Sequence, residues 1–361
     1  MPNDVIVVVD IDAKPKGVET LDILLLSTEG AKDMKTYRDL SVINTDYPNK
    51  KVAAMAAALF NQGKTTLATT LIRKVRIAGI EAPTGADAKA KATALVAAVE
   101  DIREKDDDWY ILLTDQTDAE TVEALAAWAE ATEPTEAELG AGMEDHRKLY
   151  FGQTTKKEGN PSNARAILIY ADESKLQTEW ADAAYLGNVG PFYPQSVTWK
   201  FKRPQAISVP DLTAAERDAL AEQYVNYLTV EYKREYVKNG SCLDGEFIDV
   251  QIGADYIAKT MRDNLYDIFL NNATIGYTDE GFAIVADGVY KALNRAVDLG
   301  IIARDPESRQ GVYTVVVPKR SEATDEQARS RQMPDISWEA LLEGAVHSVK
   351  VKGVLRATLS A

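Results

Sequence analysis

The residues able to do chemistry are few and widely spaced. Phe60-Asn61-Gln62-Gly63-Lys64-Thr65-Thr66-Leu67 carries a Gly-Lys-Thr-Thr core. In a phosphate-binding loop such a core sets a lysine and a hydroxyl against nucleotide phosphates. That cradle also needs a glycine five residues before the Gly of the Gly-Lys pair, on a strand-to-helix turn. Here the position is Ala58, inside the Ala-rich stretch from Ala53 to Leu59, which has helical character. The loop would then follow a helix rather than a strand. A nucleotide-binding enzyme built on Gly63-Lys64-Thr65 is the alternative that this segment supports.

Other chemistry has less to work with. Asp106-Asp107-Asp108 and Asp115 with Asp118 suggest a cation site, but they lack the glycine and glutamate spacing of a calcium loop. They read better as solvated charged turns. The chain has two histidines, His146 and His347, too few for a His-rich metal centre. His347 sits in a strand-like run, so a Ser–His–Asp triad would depend on His146, which has Asp145 beside it. No metal and no cofactor is expected. The single Cys242 allows no internal disulfide and fits a reducing compartment.

Composition points the same way. The 361 residues carry a formal net charge of −15. Phosphate binding needs a basic face, so a nucleic-acid partner and an anionic membrane surface are both disfavoured. No segment approaches the apolar length that spans a bilayer. Met1-Pro2-Asn3-Asp4 lacks the basic start of a secretory signal, so a cytoplasmic site of synthesis is expected. The hydrophobic fraction of 45% suits a well-buried core of two or three domains.

The elements that must position these residues alternate. Strands are expected at Leu21 to Leu26, around Val75-Arg76-Ile77, at Trp109 to Leu113, Lys148 to Gly152 and Arg165 to Tyr170. Helices are expected between them, at Val52 to Phe60, Ala88 to Arg103 and Ala119 to Ala131, with another near Leu176 to Leu186. Strand–helix alternation at this spacing predicts an α/β layer with a largely parallel sheet. Leu212 to Leu228 reads as helix, with Asp211 or Thr213 as candidate N-cap and Glu216 three residues after Thr213. Two long amphipathic helices follow, Ala254 to Leu270 and Asp279 to Leu299, then a strand from Val312 to Val317 and a polar excursion from Pro318 to Gln332. Most of the five tryptophans (109, 128, 180, 199, 338) read as core.

Both ends read as strands with one apolar face. Val5, Val7 and Val9 alternate against Asp4 and Asp10. Val349, Val351 and Leu355 alternate against Lys350, Lys352 and Arg356. Exposed apolar strands invite pairing. Either each tail pairs within its own subunit, or each adds a strand to a neighbour's sheet. Cross-strand opposite charges contribute about 0.2–1 kcal/mol per pair, enough to choose partner and register.

One longer motif remains. Asn239-Gly240-Ser241-Cys242-Leu243-Asp244-Gly245-Glu246-Phe247-Ile248-Asp249-Val250 precedes Gly253-Ala254-Asp255-Tyr256-Ile257, and Ile275-Gly276-Tyr277-Thr278-Asp279-Glu280-Gly281-Phe282 follows the first long helix. This order resembles the contractile phage tail sheath proteins. There a DGxFxD turn leads into a helix with an acidic–aromatic–aliphatic start, and a loop close to PYTDxGI opens a second helix. Gly276 replaces the family's usual proline and Phe282 its isoleucine. Asp279 is expected to cap the second helix, and Asp244-Gly245 to turn the chain into a strand.

The resemblance implies a subtilisin-like α/β core without catalytic residues over 20–245. It also implies a smaller α+β C-terminal domain over 246–344 facing an inner tube, and extended strand arms at 1–19 and 345–361. It implies no enzymatic activity. The chain would be a subunit of a virion tail, stacked as six-fold rings with copies of itself. Its partners would be a tail tube protein, baseplate and tail terminator proteins. Lys291 and Arg295, four residues apart on one helix face, are candidate contacts to an acidic tube. A baseplate component forming a closed ring is the neighbouring alternative.

Overall fold

The computed structural model describes residues 21–63, 71–72, 74–140 and 145–350. In chain order the strands and helices are β1 (Ile23–Ser27), β2 (Lys32–Tyr37), α1 (Leu40–Asp46), α2 (Lys51–Phe60), β3 (Val75–Gly79), α3 (Ala88–Lys105), β4 (Ile111–Thr114), α4 (Ala119–Ala131) and α5 (Glu136–Gly140). These are followed by β5 (Leu149–Thr154), β6 (Ala166–Tyr170), α6 (Leu176–Glu179), α7 (Ala181–Val189), α8 (Ala214–Glu222), β7 (Tyr227–Glu231) and β8 (Arg234–Lys238). The last are α9 (Ile248–Asn271), α10 (Asp279–Asp298), β9 (Tyr313–Val316), α11 (Asp325–Ser330) and β10 (Ser337–Ala340).

Six strands form one sheet in the order β2-β3-β1-β4-β5-β6. All its pairs are parallel except the antiparallel edge strand β2. The inner strands are buried on both faces, which explains their continuous apolar runs. Side-chain alternation divides them between two cores. Ile23, Leu25, Ile111, Leu113, Phe151, Ile167 and Ile169 pack with α1, α2 and α7. Leu24, Leu26, Leu112, Tyr150 and Leu168 pack with α3, α4 and α8. Each fully buried aliphatic side chain contributes about 1.5–3 kcal/mol. Trp109, Trp128, Trp180 and Trp199 lie in these cores, while Trp338 is partly exposed in β10.

A third core belongs to α9 and α10. Val289, Leu293, Ala296 and Val297 form one stripe of α10 against Tyr256 and Ile257 of α9 and against Ile301 and Ile302. Tyr313, Val315 and Ala340 of the β9–β10 ribbon pack on its side.

Several elements differ from the sequence reading. The helix expected over Leu212 to Leu228 stops at Glu222, and β7 begins at Tyr227. Tyr224 there takes a left-handed φ of 57°, and Asn226 leaves the helix to bond neighbouring strands. The helix expected at Leu176 to Leu186 breaks at Trp180, whose φ is 49°. Asp244-Gly245 opens onto a helix rather than a strand, because α9 starts at Ile248, six residues before the expected Ala254. The C-terminal arm is expected as strand from Ala345, yet residues 345–350 lie in no strand. Val351, Lys352, Leu355 and Arg356, and the N-terminal Asp4, Val5, Val7, Val9 and Asp10, lie outside the described residues. Among the described residues no helix is long and apolar enough to cross a membrane.

Candidate functional site

In open α/β sheets, ligands sit beyond the carboxyl ends of the strands, where the strand order reverses. Here that point lies between β1 and β4. It is filled by Asp115, which is fully buried and accepts hydrogen bonds from the Thr28 amide (2.9 Å), the Thr28 hydroxyl (2.8 Å) and the Ser27 hydroxyl (3.3 Å). Burial raises its pKa, against the opposing pull of the Thr28 hydrogen bonds. The usual ligand seat is thus occupied by the chain's own carboxylate.

The other sequence candidates resolve into structural roles. Ala58 lies within α2, so Gly63 does follow a helix; Lys64, Thr65 and Thr66 lie outside the described residues. Asp106 and Asp108 both pair with Arg76, and Asp107 pairs with Lys148 and His146. Asp118 caps α4 by accepting from the Thr121 amide at 3.0 Å. His146 therefore faces Asp107, while its sequence neighbour Asp145 pairs with Arg147 and Arg262. Cys242 is buried, and burial pushes its thiol pKa far up. Among the described residues, no group of three His, Cys, Asp or Glu side chains could hold a metal.

The long motif occupies the junction between the sheet and α9. Asp244 accepts from the Glu246 amide at 3.0 Å, and the Cys242 amide donates to the Glu246 carbonyl at 2.8 Å, which closes the turn. Gly245 takes φ 101°, and any Cβ there would stand within 3 Å of the Tyr224 ring. Phe247 is the N-cap residue of α9. Asp249, in the first turn, is buried with one carboxylate oxygen that has no hydrogen-bond partner; burial raises its pKa. It faces a cavity of about 20 Å³ beneath Trp199 and Tyr193, room for a single water.

Asp255, one and a half turns farther along α9, gathers three side chains. Tyr110 donates from its hydroxyl at 2.6 Å, Arg165 from its guanidinium at 2.5 Å, and Arg147 lies at 3.4 Å. These residues stand just before β4, β6 and β5. One helical carboxylate therefore staples the amino ends of three strands. Burial, then the Asp255 charge, pushes the Tyr110 pKa well up. A cavity of about 200 Å³ adjoins the network, lined by Asp22, Trp109, Tyr110, Arg147, Tyr256 and Arg262 among others. It opens at the amino ends, opposite the usual ligand side.

The second half of the motif shapes the start of α10. Thr278, not the expected Asp279, is the N-cap, accepting from the Gly281 amide at 3.2 Å. Asp279 instead accepts from the Arg320 amide at 2.5 Å, and Tyr277 donates to the Gln332 carbonyl at 2.8 Å. A Cβ on Gly281 would stand 1.8 Å from the Gly276 carbonyl oxygen, so only glycine fits. Lys291 and Arg295 are both exposed on α10. Lys291 pairs with Asp287 at 2.8 Å, and Arg295 reaches the Tyr256 hydroxyl at 3.4 Å.

Sequence reasoning missed three groups. Arg165 and Tyr110 precede strands and show no pattern that reveals a partner 90 or 145 residues away. Asn226, fully buried, bonds Gly240, Ser241 and Leu168. Its signal is a lone amide at the start of an apolar run.

Two surfaces remain incomplete. β9 and β10 form a two-stranded antiparallel ribbon with Val316 opposite Ser337 and Val315 opposite Trp338, tied at its base by backbone hydrogen bonds from Ala303 to Leu341, Val312 to Ala303 and Glu343 to Ile301. Val316, Trp338, Leu341 and Leu342 are exposed there. The chain from Ala345 to Lys350 runs past Phe247 and Phe201 as an unpaired segment.

No protein-family model matches the sequence, and no curated protein matches it closely. Solved structures do. A chain of the six-fold symmetrised anti-feeding prophage baseplate superposes with a TM-score of 0.66 at 11% identity, over 98% of this chain and 100% of that one. The contracted helical sheath of the anti-feeding prophage gives 0.63 at 12% identity, covering 93% of each chain. A sheath tail protein of Listeria innocua gives 0.53 at 8% identity, over 91% of this chain and 96% of that one. Layers, junction and ribbon together thus make up a contractile tail sheath-like fold.

Proposed function

We propose that this protein is a structural, non-catalytic subunit of a contractile phage-type tail sheath. It polymerises with copies of itself around a tail tube and contracts to drive the tube through a host envelope. The observation that carries the reading is the unfinished β9–β10 ribbon. Beyond the bridges at its base, no third strand joins this pair among the described residues, and it leaves Val316 64% exposed, whereas stable sheets need further strands or packing. Residues 345–350 lie in no strand of their own subunit, so strand addition from a neighbour would complete both partners. Such contacts are heterologous and repeat without closing, which generates a helical array.

In this reading residues 20–245 are the body, with the strand order β2-β3-β1-β4-β5-β6 favouring a subtilisin-like arrangement without catalytic residues. Residues 246–344 face the tube, and residues 1–19 and 345–361 are the arms. Baseplate and terminator proteins would bound the array, and the protein would reside in the tail of a phage-like particle. Contraction is then rigid-body rearrangement of a kinetically trapped lattice. The test removes residues 345–361 and examines the protein by negative-stain microscopy with its tube. Loss of tubes by an otherwise folded subunit is expected; normal tubes would defeat the reading.

The similarity to a baseplate chain favours a second arrangement, a closed six-fold ring. The same micrographs distinguish the two, since rings would appear singly and would not stack.

A further inference from the structure

Among residues 345–350, His347 alone is turned inward. Val346 and Val349 are each 83% exposed, and Gly344 before them takes a left-handed φ of 63°. The imidazole stands edge-on to Phe247, with ring centroids 4.5 Å apart and planes at 84°, and to Phe201 at 6.3 Å and 90°. Its Nε2 lies 2.7 Å from the Thr198 hydroxyl. Phe201 and Phe247 are large and substantially exposed; Phe201 also meets the Tyr236 ring at 5.2 Å, and the histidine ring fills the slot between the two phenylalanines.

We propose that His347 is a latch that holds the C-terminal segment against its own subunit, and that protonation of its imidazole releases the segment. The purpose of release, freeing the arm for a neighbour, rests on the strand-exchange reading above.

Neutral imidazole suits this slot in two ways. It offers an uncharged ring to the two phenylalanines, and its Nε2 meets the Thr198 hydroxyl, which can donate or accept. The cation suits it poorly. Lys200, from the segment that carries Thr198 and Phe201, is the charge acting on the ring. Lys238 of β8 and Glu231 of β7 act in turn on Lys200. On the α9 side the Glu246 carboxylate is engaged by the Phe247 amide at 2.8 Å, and Asp249 faces the small cavity under Trp199. Burial, then Lys200, lowers the His347 pKa below its ordinary 6.5. The sign follows from linkage: the released segment binds the proton more tightly. The latch is therefore complete above about pH 6.5 and weakens as pH falls below it.

The test uses the full chain in its unassembled form. With two histidines in the protein, the imidazole resonances can be titrated individually by NMR, and His347 should protonate below pH 6.5. A nitroxide on Val349→Cys reports the segment, since Cys242 is buried. Wild-type mobility should rise between pH 7.5 and 5.5. His347→Ala should shift the latched–released balance about tenfold toward release at pH 7.5, the loss expected from one hydrogen bond and its ring contacts. His347→Gln, which keeps a hydrogen-bonding group but does not titrate, should hold the segment and flatten the pH profile. Equal label mobility in wild type and His347→Ala at pH 7.5 would overturn the latch, whether or not tubes form. Release on cue by a protein that never polymerises, latched or unlatched, would leave the latch standing and overturn strand exchange instead.

Discussion

Arg165 and Asp255 meet at 2.5 Å although 90 residues separate them, the arginine fully buried at the foot of β6 and the aspartate on α9. Removing Asp255 leaves the buried arginine with only the Glu133 carboxylate at 3.2 Å and the Lys148 carbonyl at 2.9 Å, and a buried charge stripped of its nearest counter-ion is costly. Asp255→Ala is expected to cost about 3–5 kcal/mol in urea unfolding, by the usual cost of breaking a buried pair. Replacing both by Met and Leu should recover most of that loss, because neither charge is then stranded. A cost below about 1 kcal/mol for Asp255→Ala would mean the junction is held by apolar packing alone.

Asp182, in the first turn of α7, is buried and accepts from the Ala183 amide at 2.8 Å. Burial raises its pKa to about 7 from 3.8. A carboxyl whose folded pKa is raised contributes stability below its unfolded pKa and loses it as pH rises through the folded one. Stability should therefore decline between about pH 4 and pH 7, by up to about 4 kcal/mol. Asp182→Asn keeps an acceptor without the charge. Thermal melts from pH 4 to 8 should show it flattening this slope and raising Tm at pH 8; an unchanged slope would reject the assignment.

Val316 stands on the outer face of the β9–β10 ribbon, opposite Ser337. A lysine there would discourage an incoming strand, as charges do on natural sheet edges. Val316→Lys should leave Tm within the shift expected of about 0.5 kcal/mol, while sedimentation and microscopy show assembly lost. Unimpaired polymer would move the strand-addition site elsewhere.

Lys291 and Arg295 share the exposed face of α10. If this face meets an acidic tube, Lys291→Glu with Arg295→Glu should weaken tube-dependent assembly and remove its salt sensitivity. Subunit unfolding should change little, since the Lys291–Asp287 pair is solvent-exposed. Co-sedimentation with the tube that matches wild type in both extent and salt dependence would exclude this face.

Local periodicity made the body legible. Helix α4 spans Ala119–Ala131 as the apolar spacing predicts, and α3 runs two residues past its expected end. The capping box at Thr213 and Glu216 forms as its spacing requires. What escaped depends on distance along the chain. Tyr224 and Trp180 adopt left-handed backbones that their side chains disfavour, so surrounding packing overrides local preference at both breaks. The Asp255 staple draws on residues from three separate loops, and no window of sequence contains it. The motif was visible as an ordered string, but which threonine or aspartate capped the helix was decided by geometry at Gly281. For the tails, alternation shows a strand-forming pattern and nothing about whose sheet receives it.

Asp115 has a consequence for what this scaffold can become. A phosphate arriving between β1 and β4 would meet a fixed acid, already satisfied by Thr28 and Ser27, where a nucleotide-binding sheet presents bare amides. Turning the layer into a receptor would mean excising that acid and rebuilding the loop after β1 together. Single substitutions gain nothing along that route, and the sheet is left to serve as a girder.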